Sequence, residues 1–397
     1  MSEGLSKIAP FLTSLYVAKF LNPELFGKYS LIAVTYEIVF ILVSFNIQAT
    51  TRIDFFKEDW EKFCEIKKHH LVISLFIFVL LSLVLWGVLD LNFLVVLCLL
   101  VSSLLRTLSI FILAVFQCMK KVNSYIVINA TFVLILSGTT FLLVNLGYSY
   151  YSWLYAMLFA SLFQAVISLK FFGILKFISS FGYRMSSLNL AQAKLTFVAA
   201  SLFLPQSVGW WLRAGADRYS ITINIGDYIL GQYSLSYQLA SILVIFVNVL
   251  NLAIVPNINT FLKNKQQDRV DVLIRNGVYA VVAVTLFIAV AGSFTIKSYY
   301  INEYPLSQEL FVLLLLSFVP QAFMMLIINE LYFKNLGLFV AKIVLLVFLS
   351  QAIVNYCLSI LTGVYGMIYS SILFNILLLL LIHNKRQKVK ETKYCGA

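Results

Sequence analysis

Twelve apolar stretches, each long enough to cross a bilayer, follow one another along this chain with little between them. They cover roughly 5–21, 28–49, 71–90, 92–116, 123–146, 151–175, 192–213, 229–255, 276–298, 309–333, 337–361 and 363–383. A helix needs about 20 apolar residues to span about 30 Å of hydrocarbon. Only 12% of the residues are charged and 61% are hydrophobic, whereas soluble domains are roughly a quarter charged. The spans must be helices, because a lone strand leaves its backbone unpaired in lipid. The short alternating segments of a membrane barrel are absent. The expected fold is therefore all-α and polytopic, with about twelve transmembrane helices. The first span is the weakest: it is short, holds Lys19 and ends at Asn22-Pro23. No cleavable leader is legible before it.

Lysine and arginine placement orients the spans. With the N-terminus in the cytoplasm, 23 of the 29 basic residues, Arg184 and the Lys385–Lys393 tail among them, fall on the cytoplasmic side. Lys28, Arg218 and Lys297 fall outside, and Lys19, Arg106 and Arg213 lie in or at the rim of spans. Both termini are thus expected in the cytoplasm. The net charge of +12 is mostly this topology signal. It also favours anionic headgroups and gives no reason to invoke nucleic acid. Cys64, Cys98, Cys118, Cys357 and Cys395 are five, form no Cys-x-x-Cys pair and sit in spans or on the cytoplasmic side, so no disulfide framework is expected.

The longest polar connections are 50–70, 176–194, 256–275 and the tail from 384. Phe55–Lys68 alternates acids and bases and reads as a solvated amphipathic helix; His69 and His70 read as solvated beside it; the tail reads as an anchor for the last span. The 176–194 loop divides the spans six and six, giving an N-terminal lobe over 1–190 and a C-terminal lobe over 191–397. The halves share an echo: Phe26-Gly27-Lys28-Tyr29-Ser30-Leu31 recurs as Leu230-Gly231-Gln232-Tyr233-Ser234-Leu235. Six is even, so both halves enter the membrane in the same direction, as a parallel repeat with a substrate site between lobes would require.

Catalytic machinery is missing. Gly27-Lys28 is not a phosphate loop, since Asn22 stands at the first glycine position and Tyr29 at the Ser/Thr position. No His/Cys cluster has metal spacing, no cofactor is implied, and no long outer loop carries paired carboxylates. A chain of this kind reads as a transporter.

Charges inside spans cost at least about 2.5–3.5 kcal/mol on insertion scales, so they are candidates for function. Arg106 lies mid-span and either faces an aqueous cavity or a phosphate, or forms a structural ion pair. Glu37, also mid-span, either pairs with Arg106 or binds a coupling proton or cation. Lys19 snorkels to the outer interface or faces the cavity. Arg213, Asp217 and Arg218 form either an interfacial ion-pair cluster or an outer gate. Glu330 lies near the cytoplasmic end and is expected to reach water. Pro205-Gln206 interrupts the seventh span, because proline removes a backbone donor; Gln206 is a cavity candidate. Asn248 and Asn251 lie on one face of the eighth span and either glue helices or line the cavity. Tyr148–Trp153 and Trp210-Trp211 read as an interfacial aromatic belt.

Two stretches carry a resemblance. One runs from Gly4-Leu5-Ser6 through Pro10-Phe11-Leu12-Thr13 to Leu21-Asn22-Pro23-Glu24-Leu25-Phe26-Gly27-Lys28-Tyr29-Ser30. The other runs from Leu204-Pro205 through Gly209-Trp210 and Asp217-Arg218-Tyr219 to Leu230-Gly231-Gln232-Tyr233-Ser234. Together with the span pattern they resemble polysaccharide-unit (O-antigen, Wzx-type) flippases of the multidrug/oligosaccharidyl-lipid/polysaccharide (MOP) exporter superfamily. Lys19 stands where that family usually has Arg, and Asn22 where it has Gly. The resemblance implies a MATE-like pair of six-helix lobes around a cavity that opens alternately to each side. It implies an undecaprenyl-pyrophosphate-linked oligosaccharide moved from the inner to the outer leaflet of a bacterial plasma membrane. Membrane lipid, a polymerase and a chain-length regulator of the same pathway are the partners it implies. Arg106 and Arg213 would be cations for the pyrophosphate. The alternatives are an ion-coupled drug/cation antiporter, which needs several deep acids; a membrane enzyme of glycan assembly; and a non-transporting scaffold.

Overall fold

The computed structural model describes residues 2–88, 92–181 and 189–394; Arg184 and Cys395 lie outside them. Every element among the described residues is helical: α1 (Ser2–Phe20), α2 (Pro23–Ser44), α3 (Ile47–Lys57), α4 (Trp60–Val88), α5 (Phe93–Cys118), α6 (Val122–Asn145), α7 (Ser152–Phe172), α8 (Ile174–Phe181), α9 (Leu190–Ser201), α10 (Leu204–Trp211), α11 (Asp217–Asn224), α12 (Asp227–Ala240), α13 (Ile242–Lys263), α14 (Gln267–Tyr299), α15 (Ser307–Phe333), α16 (Gly337–Leu361) and α17 (Gly363–Tyr394). Among the described residues ten helical runs are long and apolar enough to cross a membrane. An eleventh is the bent pair Leu190–Ser201 and Leu204–Asn224, and Ile8–Phe20 is a shorter apolar helix. The twelve apolar stretches map onto these runs, and the weak first stretch is the short one.

Helix ends follow from backbone chemistry. After α5, α6, α13 and α15 one residue turns left-handed (Lys120, Gly147, Lys265 and Asn335). The next amide then bonds back across the turn, as in Lys121 N–H to Phe116 O at 2.9 Å and Gln266 N–H to Phe261 O at 2.9 Å. This satisfies carbonyls that a helix end would otherwise leave bare in an apolar surrounding.

The chain divides into two compact units, one of residues 1–13 with 32–208 and the other of 14–31 with 209–397. In the first, α5 packs against α3, α4, α6 and α7; in the second, α15 packs against α12, α13, α14, α16 and α17. Each is the fourth span of its half. They bury 56% and 61% of their most apolar windows, against 22% to 44% for the other long runs.

The two copies of the repeated motif meet inside the second unit. Near its start α2 crosses α12 so closely that a Cβ on Gly27 would lie 2.4 Å from Asp227 O. Reciprocally, a Cβ on Gly231 would lie 1.8 Å from Pro23 O. Three residues beyond each glycine, Ser30 Oγ and Ser234 Oγ are hydrogen-bonded at 2.6 Å. Only glycine lets two backbones approach this far. Gly231→Ala is expected to cost about 1–3 kcal/mol through overpacking, read as a lowered unfolding midpoint in detergent. Gly138→Ala is the neutral control, since its Cβ would meet nothing within 4 Å.

Three polar assignments are corrected. Phe55–Lys68 is not one solvated helix: α3 ends at Lys57, α4 starts at Trp60, and Lys67 is fully buried with its ammonium on Asp54 (2.7 Å) and Thr50 Oγ1 (2.9 Å). His69 and His70 are buried; His69 Nε2 accepts from Asn189 N–H at 3.3 Å and its Nδ1 lies 2.8 Å from Glu65 O. The charge alternation was legible, but α3, α8 and α9 packing on α4 covers the residues, with Thr50 and Asp54 of α3 meeting Lys67. Glu330, expected to reach water, is 0% exposed. It accepts from Lys334 (2.6 Å), Gln267 (3.0 Å) and Arg386 Nε (2.6 Å). The tail does more than anchor: α17 continues past the apolar stretch that ends at 383, and Arg386 and Lys390 both bond Asp271.

Candidate functional site

The site grows from the broken seventh span. Asn189 caps α9 by accepting from the amides of Ala191 and Gln192. The helix breaks after Ser201 and bends by 41°, and Pro205 sits in the first turn of α10, where its missing N–H removes no helical bond. The expected interruption at Pro205-Gln206 is therefore present. A second irregularity was not foreseen: Leu212–Ala216 forms a π-helical turn between α10 and α11. Such turns add a residue to the helix and leave a carbonyl to be satisfied otherwise. Arg218 Nη1 donates to Ala214 O, within this turn.

Arg213, Asp217 and Arg218 do not reach the protein surface: they are buried, at 1%, 2% and 7% exposure. Nor do they pair: among the described residues neither arginine forms an ion pair. Asp217 instead accepts from Tyr233 OH (2.9 Å) and Asn355 Nδ2 (2.8 Å). Arg213 Nη2 donates to Ser317 Oγ at 3.0 Å, and its guanidinium lies 4.9 Å from the Phe318 ring. Arg218 lies 4.5 Å from the Tyr237 ring. Arg213 Nε and Nη1 and Arg218 Nε have no partner. Ring faces offset part of the desolvation of a guanidinium, about 2 kcal/mol at a dry site, and leave most of it unmet. The result is two buried cations against one carboxylate whose oxygens are already engaged. The half-buried tryptophans beside them make ring contacts, Trp210 with Phe348 at 5.6 Å and Trp211 with Tyr219 at 6.0 Å.

Around these charges runs a polar network. Asn375 Nδ2 donates to Ser317 Oγ (3.0 Å), and Gln351 Nε2 (2.9 Å) and Asn355 Nδ2 (3.2 Å) donate to Ser371 Oγ. The network was missed in the sequence, though its signal was there. Gln351, Asn355 and Ser359 recur every four residues in one apolar span and Ser371 and Asn375 in the next, which places each set on one helix face.

In the first unit, Arg106 stands mid-way along α5 with its guanidinium 3.9 Å from the Phe132 ring and 5.8 Å from that of Phe40. Its Nη1 is buried without a partner. Glu37 is exposed on α2 and Gln206 is half-buried on α10. In the second unit, Lys19 is exposed with its ammonium 5.7 Å from the Tyr299 ring. Asn248 is half-buried. Asn251 donates to Met325 O (3.2 Å) and accepts from Asn329 (3.1 Å), joining α13 to α15. Among the described residues no group of three His, Cys, Asp or Glu is placed to hold a metal ion.

A family model described as "Polysaccharide biosynthesis protein" matches residues 1–262, well over half of the chain. No curated protein matches. Solved structures share the fold. An inward-facing multidrug-resistance MATE transporter of the MOP superfamily aligns with a TM-score of 0.71 at 12% identity, covering 98% of this chain and 96% of that one. A MOP superfamily transporter from Pyrococcus furiosus, described as having a binding pocket of reverse polarity that suggests a different function, aligns at 0.66 and 13% identity over 98% and 93%. A Vibrio cholerae MATE transporter aligns at 0.62 and 15% identity over 98% and 94%. These neighbours are transporters, not enzymes, and the chain has their fold.

Proposed function

Because the chain belongs to the polysaccharide biosynthesis protein family, we propose that it is a flippase for an undecaprenyl-pyrophosphate-linked oligosaccharide of a surface polysaccharide such as O-antigen. It works by alternating access in a bacterial plasma membrane, with both termini in the cytoplasm. One observation carries the reading: among the described residues the buried Arg213 and the half-buried Arg106 each keep N–H donors without a partner and form no ion pair. Each such guanidinium is complementary to a phosphate, and arginine's fork suits two of its oxygens at once. The surrounding amides and hydroxyls suit a glycan. The lipid tail needs no protein cavity, since it remains in the bilayer. A polymerase and a chain-length regulator would act on the product.

A drug/cation antiporter of the MATE kind needs acids to attract its substrate. Here Asp217 is held by neutral donors and flanked by two arginines, and Glu37 is the other acid of the candidate set. The buried polarity favours an anionic cargo. The reading is tested by deleting the gene and determining which leaflet holds the lipid-linked saccharide. Complete units confined to the cytoplasmic leaflet, with surface glycan restored by the gene, are expected. Units that still reach the outer leaflet, or never form, would overturn the assignment. In the same assay Arg106→Ala is expected to cut surface glycan about ten-fold, the effect of losing roughly 1.5 kcal/mol of charge-assisted bonding, while protein remains in the membrane. Normal glycan in that variant would remove Arg106 from the site.

A further inference from the structure

We propose that the seam between α16 and α17, at the end of the bilayer where α17 leaves it, binds the headgroup of an anionic phospholipid through Lys342 and Lys385. The site needs the membrane fold alone and stands apart from the choice of cargo.

The two helices pack side by side, and each turns one stripe of apolar residues outward. On α16 the stripe is Leu338, Leu346, Leu349 and Ile353; on α17 it is Leu373, Leu377 and Leu380. Spacings of three, four and their sums put each set on one helix face. Acyl chains are as apolar as leucine, so such faces are at home in lipid.

Both stripes run into charge at the same end. Lys342 stands between Leu338 and Leu346, four residues from each, and is exposed. Asn384 and Lys388 continue the α17 stripe beyond Leu380 and are exposed too. Lys385 lies at the seam: its ammonium is 5.1 Å from the centre of the Phe339 ring of α16, three residues before Lys342. The apolar stretch of α17 ends at 383, so this contact marks the level where hydrocarbon gives way to headgroups. Lys342, one turn deeper, reaches the same level with its four-carbon stem.

Other cations near this end are neutralised by the protein. Arg386 bonds Glu330 and Asp271, Lys390 bonds Asp271 and Lys334 bonds Glu330. These bonds occupy both acids and fix one face of the α17 extension. Residues 385 and 388 lie on a different face of the helix from 386 and 390. Among the described residues neither Lys342 nor Lys385 forms an ion pair. Uncompensated ammoniums beside two lipid-facing stripes are complementary to a phosphodiester whose chains lie along those stripes. Basic recesses between membrane helices hold anionic headgroups in this way. A zwitterionic lipid brings its own cation to the same place and gains less. On the topology proposed above, the leaflet is the cytoplasmic one.

The test is native mass spectrometry of the full-length protein in detergent, titrated with phosphatidylglycerol and with phosphatidylcholine of the same chains. The parent is expected to prefer phosphatidylglycerol by about 25-fold, at about five-fold for each of the two ammoniums. Lys342→Gln/Lys385→Gln should lose most of that preference. Lys57→Gln/Lys194→Gln removes the same charge from two exposed lysines elsewhere and should keep it. Equal losses in the two double variants would reduce the effect to attraction by net charge and overturn the site. An unchanged preference in Lys342→Gln/Lys385→Gln would overturn it as well. Lys342→Arg/Lys385→Arg retains both charges and is expected to bind as the parent does, which separates a lost headgroup contact from a damaged fold. Loss of the preference in that variant would count against recognition by charge and overturn the proposal. A failed leaflet assay with the lipid preference intact would remove the flippase reading and leave this site in place.

Discussion

Arg213→Met is expected to abolish most glycan export, about 10- to 100-fold, while leaving the protein as stable as the parent or more so. Its guanidinium is 1% exposed, bonded once to Ser317 and otherwise unpaired. Burying an uncompensated cation destabilises a fold, and replacing it by a well-packed apolar side chain is often neutral or stabilising. A residue kept for structure would behave in the opposite way. The loss of export follows from losing charge-assisted bonds to the cargo, about 1.5–3 kcal/mol, at about 1.4 kcal/mol per ten-fold. Arg213→Lys should fall between the two, since it keeps the charge and loses the fork. The measurement is surface glycan by complementation beside an unfolding midpoint in detergent. A large drop in the midpoint with Arg213→Met would make Arg213 a structural residue and remove the main support for an anionic cargo.

The membrane class and the span positions were legible because they depend on local composition: a run such as Phe93–Cys118 or Ser307–Phe333 can satisfy its backbone in lipid only as a helix. The bend near Pro205 was legible for the same local reason. What composition does not encode is which face of a helix another helix covers. Lys67 and His70 look like surface residues in a polar stretch and Glu330 like a residue at the wet end of a span, and packing by other segments buries them. The Arg213–Asp217–Arg218 spacing suggested ion pairing, but the π turn at Leu212–Ala216 shifts the helix phase between the first arginine and the other two. Asp217 is then engaged by Tyr233 and Asn355, residues 16 and 138 positions away. The repeat at Gly27 and Gly231 was visible as an echo. That the two copies touch each other is a property of topology, which no single segment states.

Removing Glu330 is expected to cost about 3–5 kcal/mol of stability, the largest effect of any substitution proposed for this chain outside the site, because it strands buried cations. Glu330 is held by Lys334 from one turn along α15, Arg386 from α17 and Gln267 from α14. Arg386 also bonds Asp271, which Lys390 shares at 2.7 Å and 2.8 Å. Three helices are thus tied where the apolar surface of α17 has given way to charge. The bonds satisfy one another in a chain, so their energies do not add. Glu330→Gln and Arg386→Gln should each lower the unfolding midpoint strongly, and the double variant should lose less than the sum of the two. A surface pair calibrates the scale. Lys62–Glu58 is equally short at 2.6 Å, but its side chains are 60% and 28% exposed, so Lys62→Ala should leave the unfolding midpoint almost unchanged. The buried cluster should also resist salt that weakens the exposed pair, since screening reaches it poorly. Additive losses in the Glu330/Arg386 cycle would mean that the two residues are stabilised independently, and that the end of α17 is not locked to α14 and α15 through this carboxylate.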